Sequence, residues 1–286
     1  MSSTAALADS YRHCEELARK HYENFPVASF LIPREKRKHV AAIYAFARIA
    51  DDYADEPGLA PDERLMKLGG WQHQLEEAYT GKASHPVFIA LGRTAEEFHI
   101  PQHLFTSLLK AFVSDVTVRR YETFGDVLAY CRNSANPVGR LVLLLFGYSD
   151  DESAVWSDQI CSALQLTNFW QDLSIDIQKD RLYLPLEDLK SFGVRADDLL
   201  ERRESRAFRN LMEFQVRRTK EMFAAGRPLL GRVGRDLAME LKLTWLGGMR
   251  ILDKIARSNF SVLNRRPALS PADKALLLVR AVMQTR

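Results

Sequence analysis

The chain has 286 residues, of which 47% are hydrophobic and 27% charged, an ordinary balance for a soluble globular protein. A net charge of +3 is too small to argue for nucleic-acid binding, and the basic clusters Arg34–Lys38, Arg202–Arg209 and Arg217–Lys220 are read as solvated helix faces. Three widely separated cysteines, Cys14, Cys131 and Cys161, with no Cys-x-x-Cys, suggest neither a disulfide framework nor a zinc site and fit a reducing cytoplasm.

The N-terminal segment lacks the basic-then-apolar order of a signal peptide. The longest apolar run, Leu141 to Phe146, is far too short to span a bilayer. A cytoplasmic chain, soluble or peripheral at the membrane, is therefore expected. Glycine (14) and proline (11) are sparse and fall between periodic segments, which favours helices throughout.

A first amphipathic helix is predicted over about Ala5 to Tyr22, broken by His21-Tyr-Glu-Asn-Phe-Pro26. A second runs from about Arg34 to Glu56 and stops before Pro57. Its centre, Val40 to Ala50, is apolar nearly all round and belongs inside a bundle. Arg48 interrupts it and needs an anion; Asp51, Asp52 and Asp55 lie within two turns, so simple pairing and a ligand-binding role are both open. Helices follow over about Pro61–Thr80, Pro86–Phe98 and Pro101–Thr117. From Thr123 to Gly147 a helical pattern contains Asn133-Ser-Ala-Asn-Pro-Val-Gly139, which predicts a kink or a break.

The central helix, about Ser153 to Lys179, would be about 40 Å long at 1.5 Å per residue. A non-helical link, Asp180 to Pro185, leads to short helices near Pro185–Lys190 and Ala196–Leu200 and a long polar one over about Ser205–Ala225. The last helix begins with Ser270 as cap and Pro271 in its first turn, and a docked terminal helix and a membrane-touching face are both open for it. With no short repeat, low-complexity tract or linker, residues 1–286 are expected to form a single all-α domain.

Two acidic stripes carry the chemistry. Asn168, Asp172 and Asp176 recur at i, i+4 and i+8 among Leu166, Phe169, Trp170, Leu173 and Ile177; Asp51 and Asp55 repeat the spacing. Carboxylates on apolar helices are costly to bury unless a cation matches them. Two such helices facing each other are expected to hold Mg2+ and leave room for a diphosphate. The ions would act as Lewis acids as a carbon–oxygen bond ionises, and the carbocation left behind needs a dry aromatic cavity, for which Phe25, Tyr44, Phe46, Phe169 and Trp170 are candidates. No His-Glu-x-x-His, Rossmann or P-loop motif competes with that reading.

Ile43 to Asp55 and Gln165 to Pro185, with Arg119-Arg-Tyr-Glu-Thr-Phe124, Tyr130-Cys131 and Val138-Gly139 in order between them, resemble the squalene/phytoene synthase family over nearly the whole chain. The resemblance implies an all-α isoprenoid-synthase bundle around a central cavity and Mg2+-dependent ionisation of an isoprenyl or cyclopropylcarbinyl diphosphate. It implies metal-binding roles for Asp51, Asp55, Asp172 and Asp176, with Asp52 as an extra acid. Asn168 and Gln165 would line the same site; Tyr44, Arg48 and Arg265 would be diphosphate or close partners. Tyr130 would face the reacting centre, Val138-Gly139 would be the helix break that admits the prenyl chain, and Arg120 a structural or phosphate-facing arginine.

The sequence departs from the family pattern at Gln171, where arginine is common, at Asn136-Pro137, where Gly-Thr is usual, and at Arg140, where an acid is usual. The His21–Phe25 segment, a substrate-binding stretch by the resemblance, lacks the family's lysine or serine. His21 to Ser29 and Arg132 to Arg140 are most similar to the squalene synthase of the bacterial hopanoid pathway. That subgroup implies conversion of presqualene diphosphate, made by a partner enzyme, to hydroxysqualene that a second partner reduces. No nicotinamide cofactor is then expected, and Asn133 and Asn136 are candidates to hold the attacking water. The other readings are a phytoene, dehydrosqualene or presqualene diphosphate synthase, and a non-catalytic relative acting as an assembly factor.

Overall fold

The computed structural model describes residues 3–20 and 32–283. His21 and Phe25 lie outside the described residues. The chain is all-α: the described residues form helices and connecting turns with no β-strand, only an isolated bridge between Arg120 and Leu182. Backbone contacts divide it into two compact units, residues 1–117 with 137–154, and residues 118–136 with 155–286.

In the first unit, α1 (Ser3–Lys20), α2 (Arg34–Asp55), α3 (Pro61–Tyr79), α4 (Pro86–Glu97) and α5 (Gln102–Thr117) follow the predicted boundaries closely. The alanines of α2 explain its central place. Ala41, Ala42, Ala45 and Ala50 are buried and small, so neighbouring helices approach its axis closely, and α1, α3, α4 and α5 all pack on it. Phe46 fills the space beside them, edge-on to Phe105 at 5.2 Å and to Phe88 at 5.9 Å, while the Trp71 indole donates to the Phe46 carbonyl at 3.2 Å. Truncating Phe46 to alanine would cost about 3–5 kcal/mol. Glu56, constrained by Pro57, turns extended (φ −57°, ψ 119°) and stops the helix; Arg64 then caps the released Ala54 and Glu56 carbonyls at 3.1 and 3.0 Å.

The predicted break is real but falls at Ala135, so Val138 and Gly139, expected at the break, lie within the first turns of the next helix, because Pro137 is tolerated in a first turn. α6 (Phe124–Ser134) starts with a capping box in which Thr123 and Asp126 exchange backbone bonds, and ends at Ala135. α7 (Asn136–Leu145) begins immediately, with Pro137 in its first turn where a missing N–H costs nothing. α8 (Asp151–Asp176) is the long central helix, starting two residues before the prediction and tightening to a 3-10 turn over Ile177–Lys179. Asp180 reverses the chain with φ +57°.

In the second unit, α8 packs against α11 (Arg206–Gly226) and α13 (Arg235–Arg257) through glycines. A Cβ on Gly226 would lie 2.7 Å from the Trp156 carbonyl oxygen and 2.5 Å from the Ile160 side chain; one on Gly248 would lie 2.5 Å from Phe223 and 3.0 Å from Leu164. Trp170 is fully buried, its indole donating to the Thr219 hydroxyl at 2.9 Å, which donates to the Gln215 carbonyl at 2.7 Å. The short helices α9 (Leu186–Phe192), α10 (Ala196–Leu200) and α12 (Leu229–Arg232) and the terminal α14 (Pro271–Met283) complete this unit. Among the described residues no helix is long and apolar enough to cross a membrane. All three cysteines are free thiols; burial pushes Cys14 and Cys131 up to about 12, so both stay protonated.

Candidate active site

The first acidic motif closes α2. Tyr44, Arg48, Asp51 and Asp55 fall on one stripe of that helix at i, i+4, i+7 and i+11. Arg48 donates from one terminal nitrogen to Asp52, and its other lies 3.5 Å from Asp51. Burial opposes its charge, but the hydrogen bond to Asp52 and the charges of Asp52 and Asp51 outweigh it and hold the guanidinium above its ordinary pKa. The pair is about half exposed, so it contributes at most about 1 kcal/mol to stability. Its effect is positional: Asp52 orients Arg48 and is occupied in doing so. Arg48 Nε is buried with no acceptor among the described residues. Burial raises the Tyr44 phenol, which therefore remains a neutral donor near neutral pH.

The second motif lies on the last two turns of α8. Asn168 is exposed and Asp172 and Asp176 are half-buried, so this stripe is not sealed in the core as the apolar neighbours suggested. The apolar residues Leu166, Phe169, Trp170 and Leu173 take the buried side, and the polar line is left at the surface of its own helix. Arg266 grips Asp172 through both oxygens, Nη2 donating at 3.2 Å. The hydrogen bond to Asp172 raises the guanidinium pKa despite opposing burial. Beside it, the buried Gln171 donates to the Pro267 carbonyl at 2.6 Å. Adjacent residues of α8 thus fasten adjacent residues of the Arg265–Pro267 segment. Arg265, the expected diphosphate partner, is exposed next to Arg266, and Gln165 is half-buried one turn before Asn168.

A third feature is aromatic. Tyr130 on α6 packs with Tyr121, Phe169 and Tyr183 at centroid distances of 5.9, 5.9 and 5.7 Å, and Phe169 stacks flat on Tyr183 at 3.7 Å. The link after α8 delivers Tyr183: Leu182 donates to the Arg119 carbonyl at 3.0 Å, Leu186 to the Tyr121 carbonyl at 2.9 Å, and Arg120 clamps Asp180 at 2.5 Å. Arg120 therefore fixes the link. Phe46 and Trp170, expected to line a cavity, are instead wholly inaccessible core residues, because both are enclosed by neighbouring helices. Asn136 sits buried at the helix break, its Oδ1 accepting from Ser162 at 2.8 Å; Val138 is exposed and Gly139 half-buried just beyond.

The aspartates offer oxygen donors alone, partly open to solvent, and one in each motif already carries a guanidinium. Each motif by itself fits Mg2+, which binds hard oxygen ligands and keeps several waters. Among the described residues no three His, Cys, Asp or Glu side chains gather in one place. An ion that leans on one or two carboxylates and on phosphate oxygens needs no such cage.

The sequence profile of squalene/phytoene synthases matches residues 18–273. The chain belongs to the squalene/phytoene synthase family. The structure is similar to a squalene synthase of Alicyclobacillus acidocaldarius, with a TM-score of 0.85 and 40% identity over 89% of this chain and 96% of that one. A dehydrosqualene synthase structure superposes with a TM-score of 0.87 at 25% identity, covering 97% of both chains. Among sequence relatives, a hydroxysqualene synthase of Rhodopseudomonas palustris is 36% identical over 85% of this chain and 80% of its own length. A phytoene synthase of Thermus thermophilus is 31% identical over 100% and 97%.

As a squalene/phytoene synthase, the chain is an isoprenoid-synthase type of enzyme with the all-α fold of that group. The residues that sequence reasoning missed at its site are Arg266, Tyr121 and Tyr183. Arg266 carried a signal, since Arg265-Arg266-Pro267 offers two cations before a turn-forming proline. Tyr121 and Tyr183 carried one only in retrospect, inside the Arg119–Phe124 and Arg181–Pro185 segments.

Proposed function

We propose that this squalene/phytoene synthase is a Mg2+-dependent enzyme that converts presqualene diphosphate to hydroxysqualene. The observation that carries the choice of product is the pattern of similarity: 40% and 36% identity to squalene and hydroxysqualene synthases, against 31% or less to the phytoene synthases compared. The departures at Gln171 and Asn136-Pro137 agree with it.

In this reading the ions would be held by Asp51 and Asp55 on α2 and by Asp172 and Asp176 on α8. Bound Mg2+ would supply Lewis-acid stabilisation of the departing diphosphate. The protein's own groups act around that. Arg48, oriented by Asp52, and Arg266, paired with Asp172, are the proposed cations for diphosphate oxygens. The carbon–oxygen bond breaks with its electron pair leaving on the diphosphate. The rearranging cation is stabilised by π faces of the Tyr121, Tyr130, Phe169 and Tyr183 cluster. A water oxygen adds to the cation and loses a proton, giving one hydroxysqualene and one diphosphate from one substrate and one water. Asn136, fixed by Ser162, is the proposed positioning residue for that water. No nicotinamide is needed for this balance, and the reduction to squalene would belong to a partner enzyme.

The second reading, condensation of two allylic diphosphates as in phytoene or dehydrosqualene synthases, is favoured by the full-length match to the Thermus relative. Purified protein with Mg2+ and no nicotinamide, given presqualene, farnesyl or geranylgeranyl diphosphate in separate reactions, distinguishes the two. Hydroxysqualene from presqualene diphosphate alone is expected, with an Asp172→Asn variant slowed on the order of a hundredfold or more. Turnover of either allylic diphosphate would replace this proposal with the second reading.

A further inference from the structure

The terminal helix α14 is docked by one side and apolar on the other. Its docked side is specified chemically. Asp273 is buried and pinned by Arg250 and Lys254, each at 2.6 Å, and by the Ser270 backbone N–H at 2.8 Å, so its carboxyl is held well below the usual carboxylate range. Leu277 and Ala281, one and two turns on, are buried in a cluster with Leu246, Trp245 and Leu269. Residues 273, 277 and 281 therefore fix which face of the helix points inward.

The outward face does not look like that of a solvated helix. Eleven large apolar side chains are exposed among the described residues, and five of them, Leu276, Leu278, Val279, Val282 and Met283, lie on these thirteen residues. At 100° per residue they share, with Ala272 and Ala275, an uninterrupted apolar arc of about 160° opposite the docked side. Lys274 borders one edge of the arc and Arg280 the other. Asp273 is the helix's one acid, and it is buried, so every exposed charge on α14 is positive. A second copy packed on this face by the same patch would set Lys274 and Arg280 against their like, with no exposed acid on the helix to match them. An apolar strip between two flanking cations, with no exposed acid, matches an anionic lipid surface, where acyl chains take the strip and lipid phosphates take the Lys and Arg heads.

We infer that α14 is a membrane-surface helix that lies in the headgroup region of anionic bilayers by its Leu276–Met283 face. Nothing in this inference depends on which diphosphate the enzyme turns over. The full-length protein would be sedimented with sucrose-loaded vesicles of phosphatidylcholine with phosphatidylglycerol, and of phosphatidylcholine alone. Binding to the anionic vesicles is expected, weakened about fivefold by Lys274→Gln and again by Arg280→Gln at low salt. The triple variant Leu276→Gln, Leu278→Gln, Val279→Gln should lose about a hundredfold or more, since each side chain is worth roughly tenfold. Because these side chains are exposed, circular dichroism should show an unchanged fold. A Val279→Cys protein carrying an environment-sensitive dye supplies an independent reading, with a blue shift expected on anionic vesicles only. Equal sedimentation of the triple variant and the parent, or no dye shift, would overturn the inference. So would a dimer in sedimentation equilibrium that the triple variant dissolves while vesicle binding is absent.

Discussion

Gln171 occupies a position where the family's arginine would stand, and its replacement by leucine tests what the residue does here. The substitution removes a 2.6 Å bond from a buried amide to the Pro267 carbonyl. A bond of this kind contributes about 1 kcal/mol net, and a buried carbonyl left without a donor costs about 1–3 kcal/mol. Two effects reduce the loss. Leucine adds apolar burial, worth up to about 1–2 kcal/mol, and the exposed neighbours Arg265 and Arg266 allow water near the carbonyl. The expected net destabilisation is therefore about 1–2 kcal/mol, measured by urea unfolding at constant m-value. The local consequence should be larger than the global one. With the Gln171 tie gone, the stretch between the Glu204-held backbone of Leu263 and Asn264 and the Asp273-held Ser270 keeps the half-exposed ion pair of Arg266 to Asp172, worth about 1 kcal/mol or less. Amide exchange at residues 265–270 should then accelerate several-fold, and KM for the diphosphate substrate should rise more than kcat falls. A stability change under about 0.5 kcal/mol together with unaltered exchange at 265–270 would refute the reasoning.

Gly226→Ala should destabilise by about 3 kcal/mol, the upper end for overpacking, because the added carbon meets a backbone carbonyl of α8 that cannot rotate away; thermal unfolding measures it, and an unchanged Tm would count against the close helix contact. Glu240 is half-buried, its Oε2 is enclosed with no partner among the described residues, and burial raises its pKa to about 7. The folded state then binds its proton more tightly than the unfolded chain, so stability falls as pH rises from about 4.5 through about 7. Glu240→Gln should flatten that slope and add about 2 kcal/mol at pH 8 while changing little at pH 4, read from unfolding curves at both pH values. Asn136→Ala should lose the Ser162 contact and shift product from hydroxysqualene toward unhydroxylated hydrocarbons; an unchanged product spectrum would remove Asn136 from the water-positioning role.

Much of the fold was legible because its helices carry their own punctuation. Pro57, Pro61, Pro86 and Pro271, and the Ser205 and Ser270 caps, put helix ends within a residue or two of their predicted places. The Asn136-Pro137 break was legible for the same reason. The aspartate spacings were readable as stripes, but their environment was not. Apolar residues around Asp172 suggested burial, whereas a 3.6-residue period lets one helix bury Trp170 and Leu173 and still leave Asp172 partly open. Phe46 and Trp170 misled in the opposite sense, since aromatic residues beside a motif serve the core as readily as a cavity. The Arg266–Asp172 and Gln171–Pro267 ties span over ninety residues, and no local pattern encodes such a distance.

The most direct test is turnover of presqualene diphosphate with Mg2+ in water enriched in the heavy oxygen isotope, with both products analysed by mass spectrometry. One heavy oxygen in hydroxysqualene and none in the diphosphate is expected, because the carbon–oxygen bond ionises and water captures the carbon. Label in the diphosphate with an unlabelled alcohol would mean hydrolysis at phosphorus, and would contradict that expectation.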